Sequence, residues 1–453
     1  MKNHLNVVLF SLIAAAGATL LAGCGPATAS SANGSASGAP TTSAPASKKI
    51  GVVLIGDATE GYSAAHIDGI NEAAAELGIS DRLLYKYKVQ EDDGCKTAID
   101  DLVSEDCGLI ISNSYGHQDY MAPAAKANKD VTFISMTGDY AAVSKISNFK
   151  NAFVSIYEAR YVSGIVAGMK LKELADGNKL DTTFNQDGNG NWKIGYVGAY
   201  KYSEVVSGYT AFYLGVKSVI SNVVMKVQFT NSWFDISGEG AAADALVKNG
   251  CVVIGQHADS TGAPAKVQSL LGTARADDAT KKYVCYSVGF NIDMIPTAKD
   301  AALTSAINIW KVYYKYAFTQ YLNGRTIDTD WCKGYADGAV GTSTLNTSCA
   351  AGTQAAVDTA VAAIKAGTLH VFNTANFTVG GKTLTSAIID LSHYDYSTGS
   401  AQLVYEGDKV EAIKKDGDVS FFSESTLRSA PYFNVGVDSS FALIDVDGIS
   451  VLS

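Results

Sequence analysis

The stretch WKIGYVGAYKYSEVVSGYTAFYLGVKSV, Trp192 to Val219, decides the fold. It opens with an apolar strand pattern, Ile194-Gly195-Tyr196-Val197, and from Glu204 to Val219 it continues as a helix. Near the start of the folded chain, KKIGVVLIGD from Lys48 to Asp57 has the same Ile-Gly-X-Val strand. A helix pattern over Ser63 to Leu77 follows it, with Ile67, Ile70, Ala73 and Ala74 at helical spacing and Gly78 placed as a C-cap. Between the two starts the spacing predicts strands at Leu83 to Val89, Leu109 to Ser112 and Val131 to Ser135, and helices over Thr97 to Val103 and Tyr157 to Leu174. After the second start come a strand at Met225 to Phe229, a helix at Glu239 to Lys248 and strands at Cys251 to Gly255 and Tyr283 to Val288. Such alternation predicts parallel sheets covered by helices. The repeated start predicts an α/β protein with two lobes of related layout.

The first residues, MKNHLNVVLFSLIAAAGATLLAGC, combine one early Lys, an apolar run from Leu5 to Leu21 and small residues before Cys24, which describes an export signal. The order Leu21-Ala22-Gly23-Cys24 resembles the lipobox of bacterial lipoproteins, in which cleavage precedes a Cys that then carries lipid. An ordinary signal cut elsewhere, or an uncleaved anchor, is the competing reading. Residues 25–47 are nearly all Gly, Ala, Ser, Thr and Pro, the composition of a flexible tether. From residue 48 onward there is chain for two or three ordinary domains. Provisional bounds are 48–188 for lobe 1 with a return of 301–325, 189–300 for lobe 2 with 326–400, and a C-terminal extension of unknown role over 401–453. With 47% apolar and 18% charged residues the chain is globular, and its net charge of −10 argues against nucleic acid as a partner.

Besides Cys24 there are six cysteines, an even number in a chain read as exported. Sequence proximity pairs Cys95 with Cys107, Cys332 with Cys349 and Cys251 with Cys285, the alternative being buried free thiols. No C-x-x-C or paired-His spacing points to a metal, and nothing points to a cofactor. The loop Asn185 to Gly190 looks like a calcium loop, but Tyr196 stands at its twelfth position instead of Glu, so a plain turn is expected.

In open α/β sheets, ligands sit beyond the carboxyl ends of the strands, and here those ends are polar and aromatic. The first strand runs into Asp57, Tyr62 and Ser63, the next into Tyr115, Gly116 and His117, and a third into Thr137-Gly138-Asp139. The second lobe offers Trp233, Phe234 and Asp235, then Gln256-His257-Ala258-Asp259-Ser260, then Asn291 and Asp293. Rings interleaved with carboxylates suit a flat, hydrogen-bonding solute, although any single ring could simply pack under its own loop. Asp259 has a second reading as well, as the N-cap of a helix beginning near Gly262.

YEARYVSGIVAG at Tyr157 to Gly168, the Trp192 stretch, SWFD at Ser232 to Asp235, QHADS at Gln256 to Ser260 and LTS at Leu303 to Ser305 followed by WKVYY occur in this order. In these the chain resembles the basic membrane protein family, the nucleoside- and nucleobase-binding lipoproteins of ABC importers, over roughly residues 48–375. The resemblance implies a periplasmic-binding-protein fold of type I, a purine held between aromatic rings, carboxylates fixing its polar edge, and permease and ATPase partners at a membrane. By position it places Tyr62, Asp57, Ser63 and His66 in the first loop, Tyr115 and Gly116 in the next, and Trp233, Phe234, Asp259 and Asp293 opposite. Many members carry a Lys where Asn308 stands and an Asp where Asn291 stands. Both departures put ribose recognition in question and leave a free base or another heterocycle open.

No G-x-S-x-G elbow, Walker loop or H-E-x-x-H appears, so catalysis is not expected. A tethered ligand sensor or surface adhesin of the same fold, binding another solute such as a sugar, is the alternative to an importer subunit.

Overall fold

The computed structural model describes residues 48–395, 402–433 and 446–452. Cys24 and the tether lie outside them. Strands β1 (Lys49–Val53), β2 (Leu83–Lys86), β3 (Cys107–Ser112), β4 (Thr132–Met136) and β5 (Phe149–Val154) build the first sheet, with α1 (Gly61–Leu77), α2 (Asp93–Ser104), α3 (Gln118–Ala127) and the short α4 (Tyr140–Ser144) between them. Helix α5 (Ile156–Asp176) and α6 (Thr182–Asn185) lead to the second series: β6 (Trp192–Gly198), α7 (Ser203–Val219), β7 (Val223–Phe229), α8 (Ile236–Lys248), β8 (Val253–Gln256), α9 (Gly262–Leu270), β9 (Tyr286–Phe290) and β10 (Ala302–Asn308). Then follow α10 (Lys311–Leu322), β11 (Asp330–Lys333), β12 (Val340–Thr342) and α11 (Thr353–Lys365).

The first sheet has the order β11-β5-β4-β3-β1-β2 and the second β12-β10-β9-β8-β6-β7-β19, where β19 is Ile449–Val451. Counted within each lobe, the five main strands follow one order, 2-1-3-4-5, all parallel. The repeated Ile-Gly-X-Val start is therefore the second strand from the edge of this common pattern in both lobes. Strands such as β3, buried at every position, carry the unbroken apolar runs that a sheet covered on both faces requires. Gly78 closes α1 in the left-handed conformation at φ 67°, as its place after the apolar stripe predicts.

The lobe bounds differ from those read in the sequence. Helix α5 packs on α7, in the second lobe, through close backbone contact: a Cβ on Gly164 would collide with the Phe212 carbonyl and one on Gly215 with that of Tyr161. Segment 302–308 is a strand of the second sheet, α10 packs back on α1, β11 completes the first sheet, and β12 returns to the second. The chain thus crosses between lobes after β5, after β10 and after β11, and the return placed at 301–325 is in fact made by 311–333. Periodicity finds strands but cannot assign them to one of two similar sheets.

Among the described residues no cysteine pair is bonded: Cys95, Cys107, Cys251, Cys285, Cys332 and Cys349 are all free thiols. Cys332 lies in β11 of the first sheet against Ser155, whereas Cys349 donates to the Leu303 carbonyl of the second at 3.3 Å, so proximity in sequence misleads. Burial pushes the Cys251 and Cys285 thiols up to about 12. The Asn185–Gly190 loop is a turn, Asp187 accepting from the Asn189 and Asn191 N–H groups.

The C-terminal extension begins earlier than residue 401: the chain beyond α11 forms three small ribbons, β13 (Ile388–Asp390) with β16 (Lys409–Glu411), β14 (His393–Asp395) with β15 (Gln402–Tyr405), and β17 (Ile413–Asp416) with β18 (Val419–Phe422). It touches both lobes: His393 reaches Asp119 and Asp139 of the first, while β19 pairs in parallel with β7 of the second.

Candidate functional site

At the carboxyl ends of both sheets lies a cleft of about 640 Å³. The 2-1-3-4-5 order reverses direction between β1 and β3 and between β6 and β8, and the loops leaving those switch points are the ones that meet there. Of the residues the sequence singled out, Asp57, Tyr62, Tyr115, Trp233, Phe234 and Asp259 line it. A Cβ on Gly61 would sit 3.0 Å from the Asp259 carbonyl oxygen, so the lobes touch at the cleft floor.

The first-lobe wall is fixed by hydrogen bonds within and between its loops. Glu60 caps α1, accepting from the Ser63 N–H at 2.8 Å. The Tyr62 hydroxyl donates to the Asn113 carbonyl at 2.6 Å, and the Asn113 side chain accepts from the Ile55 N–H at 2.8 Å. Thr137 lines the cleft with φ 65°, a strained conformation for a β-branched residue of the kind that clusters at binding sites. Glu91 accepts from the Ser114 hydroxyl at 2.6 Å and the Gly116 N–H at 2.7 Å, holding the loop that presents Tyr115.

Across the cleft, Tyr200 stacks on Tyr202 with centroids 5.2 Å apart, and Trp233 meets Tyr200 edge-on at 5.0 Å. Beneath them Arg160 is fully buried, its guanidinium 3.5 Å over the Phe290 ring and donating to the Gln256 carbonyl. Arg160 also reaches His257 Nδ1 at 3.3 Å. Since arginine can only donate, the His257 proton sits on Nε2, which faces Glu204 at 3.3 Å. Burial, then the Arg160 charge, holds His257 below its ordinary value, so this imidazole is neutral and its N–H aims Glu204 into the cleft.

Asp259 is 7% exposed and its Oδ1 accepts from Asn291 Nδ2 at 2.7 Å, while Asn291 Oδ1 accepts from Asn308 Nδ2 at 3.0 Å. The two departures from the family pattern thus form one relay that orients a carboxylate. Asp259 does not cap α9: Ser260 Oγ accepts the Gly262 N–H at 3.0 Å, and the N-cap Thr261 makes no side-chain cap bond. Burial, then Glu60, Glu239 and Glu204, push the Asp259 carboxyl well above the usual range, against a weaker pull from Arg160.

Asn291 stands behind Asp259 and does not itself line the cleft, and four further residues the sequence placed at the ligand stand elsewhere. Ser63 is fully buried, its hydroxyl accepting from the Gly56 N–H at 3.1 Å and Asn113 Nδ2 at 3.2 Å. His66 is buried and stacks on Trp310 at 4.3 Å. Gly116 serves the Glu91 loop, and Asp293 is exposed and accepts from the Ile295 N–H at 3.0 Å, ending the turn after β9. Sequence reasoning gave no role at the ligand to four lining residues, Glu60, Glu91, Glu204 and Phe290, although Glu60 and Phe290 stand in the strand-end runs. For Glu204 a signal existed, an acidic residue in the first turn of α7 just past the Trp192 strand.

Among the described residues six carboxylate residues line the cleft, Asp57, Glu60, Glu91, Asp92, Glu204 and Asp259, and the sole lining Lys or Arg is Lys88, paired with Asp57 at 2.7 Å. Such a wall accepts hydrogen bonds from a ligand and repels an anion.

A family described as ABC transporter substrate-binding protein, PnrA-like, matches residues 48–360. The chain is 31% identical over 268 residues to a purine-binding protein of Brucella abortus, and 31% identical over 209 residues to a protein of Haloferax volcanii named as an ABC transporter glucose-binding protein. These stretches cover 59% and 46% of this chain and 66% and 44% of the relatives, less than two thirds of either. Among solved structures, a solute-binding protein of an ABC transporter from Aeropyrum pernix aligns over 75% of this chain and 94% of its own with a TM-score of 0.57 at 14% identity. One from Conexibacter woesei aligns over 72% and 98% with a TM-score of 0.52 at 16% identity. At such identity these structures speak for the fold: two lobes of the periplasmic-binding-protein kind.

Proposed function

The chain belongs to the PnrA-like family of ABC transporter substrate-binding proteins, and from that premise we propose that it captures a purine base or nucleoside in the interlobe cleft and delivers it to a permease and its ATPase. The observation that carries this reading is that aromatic rings of both lobes, Tyr62 and Tyr115 of one and Trp233 and Phe234 of the other, line one cleft together with carboxylates and, among the described residues, no unpaired lining cation. A flat heterocycle offers faces to the rings and N–H donors to Glu204 and Asp259. Stacking contributes about 0.5–1.5 kcal/mol beyond area burial, whereas micromolar affinity needs about 8 kcal/mol, so the lobes must enclose the ligand and desolvate its charge-assisted bonds. The purine named for the Brucella relative supports this choice of ligand, and the sugar named for the Haloferax relative supplies the competing one. Lacking a lysine at Asn308, the site suits a base at least as well as a ribose.

Anchoring completes the proposal: Cys24 carries lipid, and residues 25–47 tether the binding unit outside the cytoplasm. Cys24→Ala should then release the chain from the membrane fraction, and unchanged retention would remove the anchor from the scheme. The ligand is tested by thermal shift of the purified full chain with hypoxanthine, guanine, adenosine, inosine, glucose and amino acids, stabilisation rising with ligand concentration over Kd. Stabilisation by glucose alone would replace the purine reading with the sugar one.

A further inference from the structure

The family match ends at residue 360, yet the extension reaches back into the first lobe, at Asp330, where the buried Ser429 N–H donates at 2.7 Å, and at a buried cluster around His393. His393 is completely buried between two aspartates, Nδ1 2.7 Å from Asp139 Oδ1 and Nε2 2.8 Å from Asp119 Oδ1, with its ring stacked on Tyr140 at 4.4 Å. Arg428 approaches the other oxygen of the same carboxylate, Nη1 to Asp139 Oδ2 at 3.2 Å. That oxygen also accepts the Tyr115 hydroxyl at 3.0 Å, and Tyr115 lines the ligand cleft whereas Asp139 does not. A carboxylate with two extension cations on one side thus holds, on the other, a ring that faces the solute.

We propose that the C-terminal extension is a positioning element of the binding site: through Asp139, His393 and Arg428 fix the hydroxyl, and with it the ring plane, of Tyr115. This rests on the cleft being the ligand site. The physical reason lies in what Asp139 would be without the extension. It is 5% exposed, and its remaining side-chain partner would be a phenol, too weak to offset the cost of a buried charge. The carboxyl would then protonate or turn toward water, and the Tyr115 hydroxyl would lose a charged acceptor. Charge-assisted bonds are roughly twice as strong as neutral ones, so the ring loses the stronger part of what fixes its hydroxyl.

The test uses the full chain with tyrosine labelled at Cζ, the Tyr115 signal being assigned by its disappearance in Tyr115→Phe. His393→Gln, and separately Arg428→Gln, should shift that signal in the unliganded protein. Arg428 lies nearer the surface and is the variant expected to keep the fold if His393→Gln does not. Calorimetry with inosine and with glucose supplies the second readout. Each extension variant should weaken whichever probe binds by about two- to tenfold, and in the Tyr115→Phe background should weaken it no further. An unmoved Tyr115 signal, or an equal loss of affinity with and without the tyrosine hydroxyl, overturns the proposal. Binding of neither probe would instead defeat the nucleoside and sugar readings of the cleft and leave the free base, and the Tyr115 signal would still decide what the extension does.

Discussion

Asp139 and Asp259 are both buried at strand ends beside the cleft, at 5% and 7% exposure, and their surroundings are opposite. Burial works to raise the Asp139 carboxyl, but Arg428 and His393 outweigh it and hold the group below the usual range. Asp259 feels the same burial with three carboxylates added, and the pull of Arg160 the other way is the weaker influence, while Asn291 donates to its Oδ1. One carboxylate has received its partners from the chain itself. The other has been oriented and, among the described residues, has no paired cation, an arrangement that fits the proposed donor-rich solute.

The largest expected effect falls on the satisfied carboxylate. Asp139→Ala strands two cations in a buried site, and chemical denaturation should register a loss of about 3 to 5 kcal/mol. A loss below about 1 kcal/mol would mean that the network is spectator to the fold.

Next comes the pH dependence of the same cluster. His393 faces Asp119 on α3, Asp139 before α4, and Arg428 across Asp139, with Asp395 acting on Asp119 and the Tyr115 and Tyr140 rings alongside. Burial lowers the His393 value, but its two aspartate partners outweigh burial and raise it from 6.5 to about 9. Because the folded value is the higher one, the stabilisation is complete below about 6.5 and is lost as pH rises through about 9. Its size is on the order of 3 kcal/mol, at roughly 1.4 kcal/mol for each tenfold gain in proton affinity. Asp139, lowered in the fold, loses its share in the opposite direction as the solution is acidified. Stability measured from pH 6 to 10 should fall at the alkaline end, and His393→Gln should flatten that fall.

For Asp259 the expectation inverts. Asp259→Asn replaces an acceptor with a donor, costing the ligand about 1.5 to 3 kcal/mol, or about ten- to a hundredfold in Kd. Unliganded stability at pH 7 should hold or rise, since the wild-type carboxyl, raised in the fold, loses stability as pH climbs above its unfolded value near 3.8. Calorimetry finding wild-type affinity would take Asp259 out of the site.

How far the sequence reveals this contrast depends on distance along the chain. The two lobes were legible because Ile50-Gly51 and Ile194-Gly195 open the same strand order, and the cleft loops because aromatic and acidic residues interrupt apolar runs at Tyr62, Trp233 and Asp259. Asp139 was visible as a polar strand end, but nothing local pairs it with His393, 254 residues away. The same limit hid the crossovers, since β11 and β12 look alike as short strands and only packing assigns them to different sheets. Ser63 and Asp293 were misplaced for another reason. Side chains at strand ends also satisfy backbone N–H groups of their own loops, and residue type does not distinguish that duty from contact with a ligand.

The smallest effect concerns the relay behind Asp259. Asn291 adopts φ 64°, a left-handed conformation asparagine tolerates better than most residues, and so places its amide between Asp259 and Asn308. With Asn308 Nδ2 donating to its oxygen, the Asn291 amide can present only its NH₂ side to Asp259. Asn308→Ala removes that constraint, and the amide becomes free to turn its oxygen toward the carboxylate and drive it from position. One neutral hydrogen bond is at stake, about 0.5 to 1.5 kcal/mol, so affinity should fall about two- to tenfold with little change in melting temperature. The Asp259→Asn background separates two routes to that loss. If Asn308 acts through Asp259, its removal costs nothing more there. The Asn308 Oδ1 atom is buried and makes no hydrogen bond among the described residues. If it instead accepts from the solute directly, the full loss persists in that background, and the relay is part of the binding surface itself.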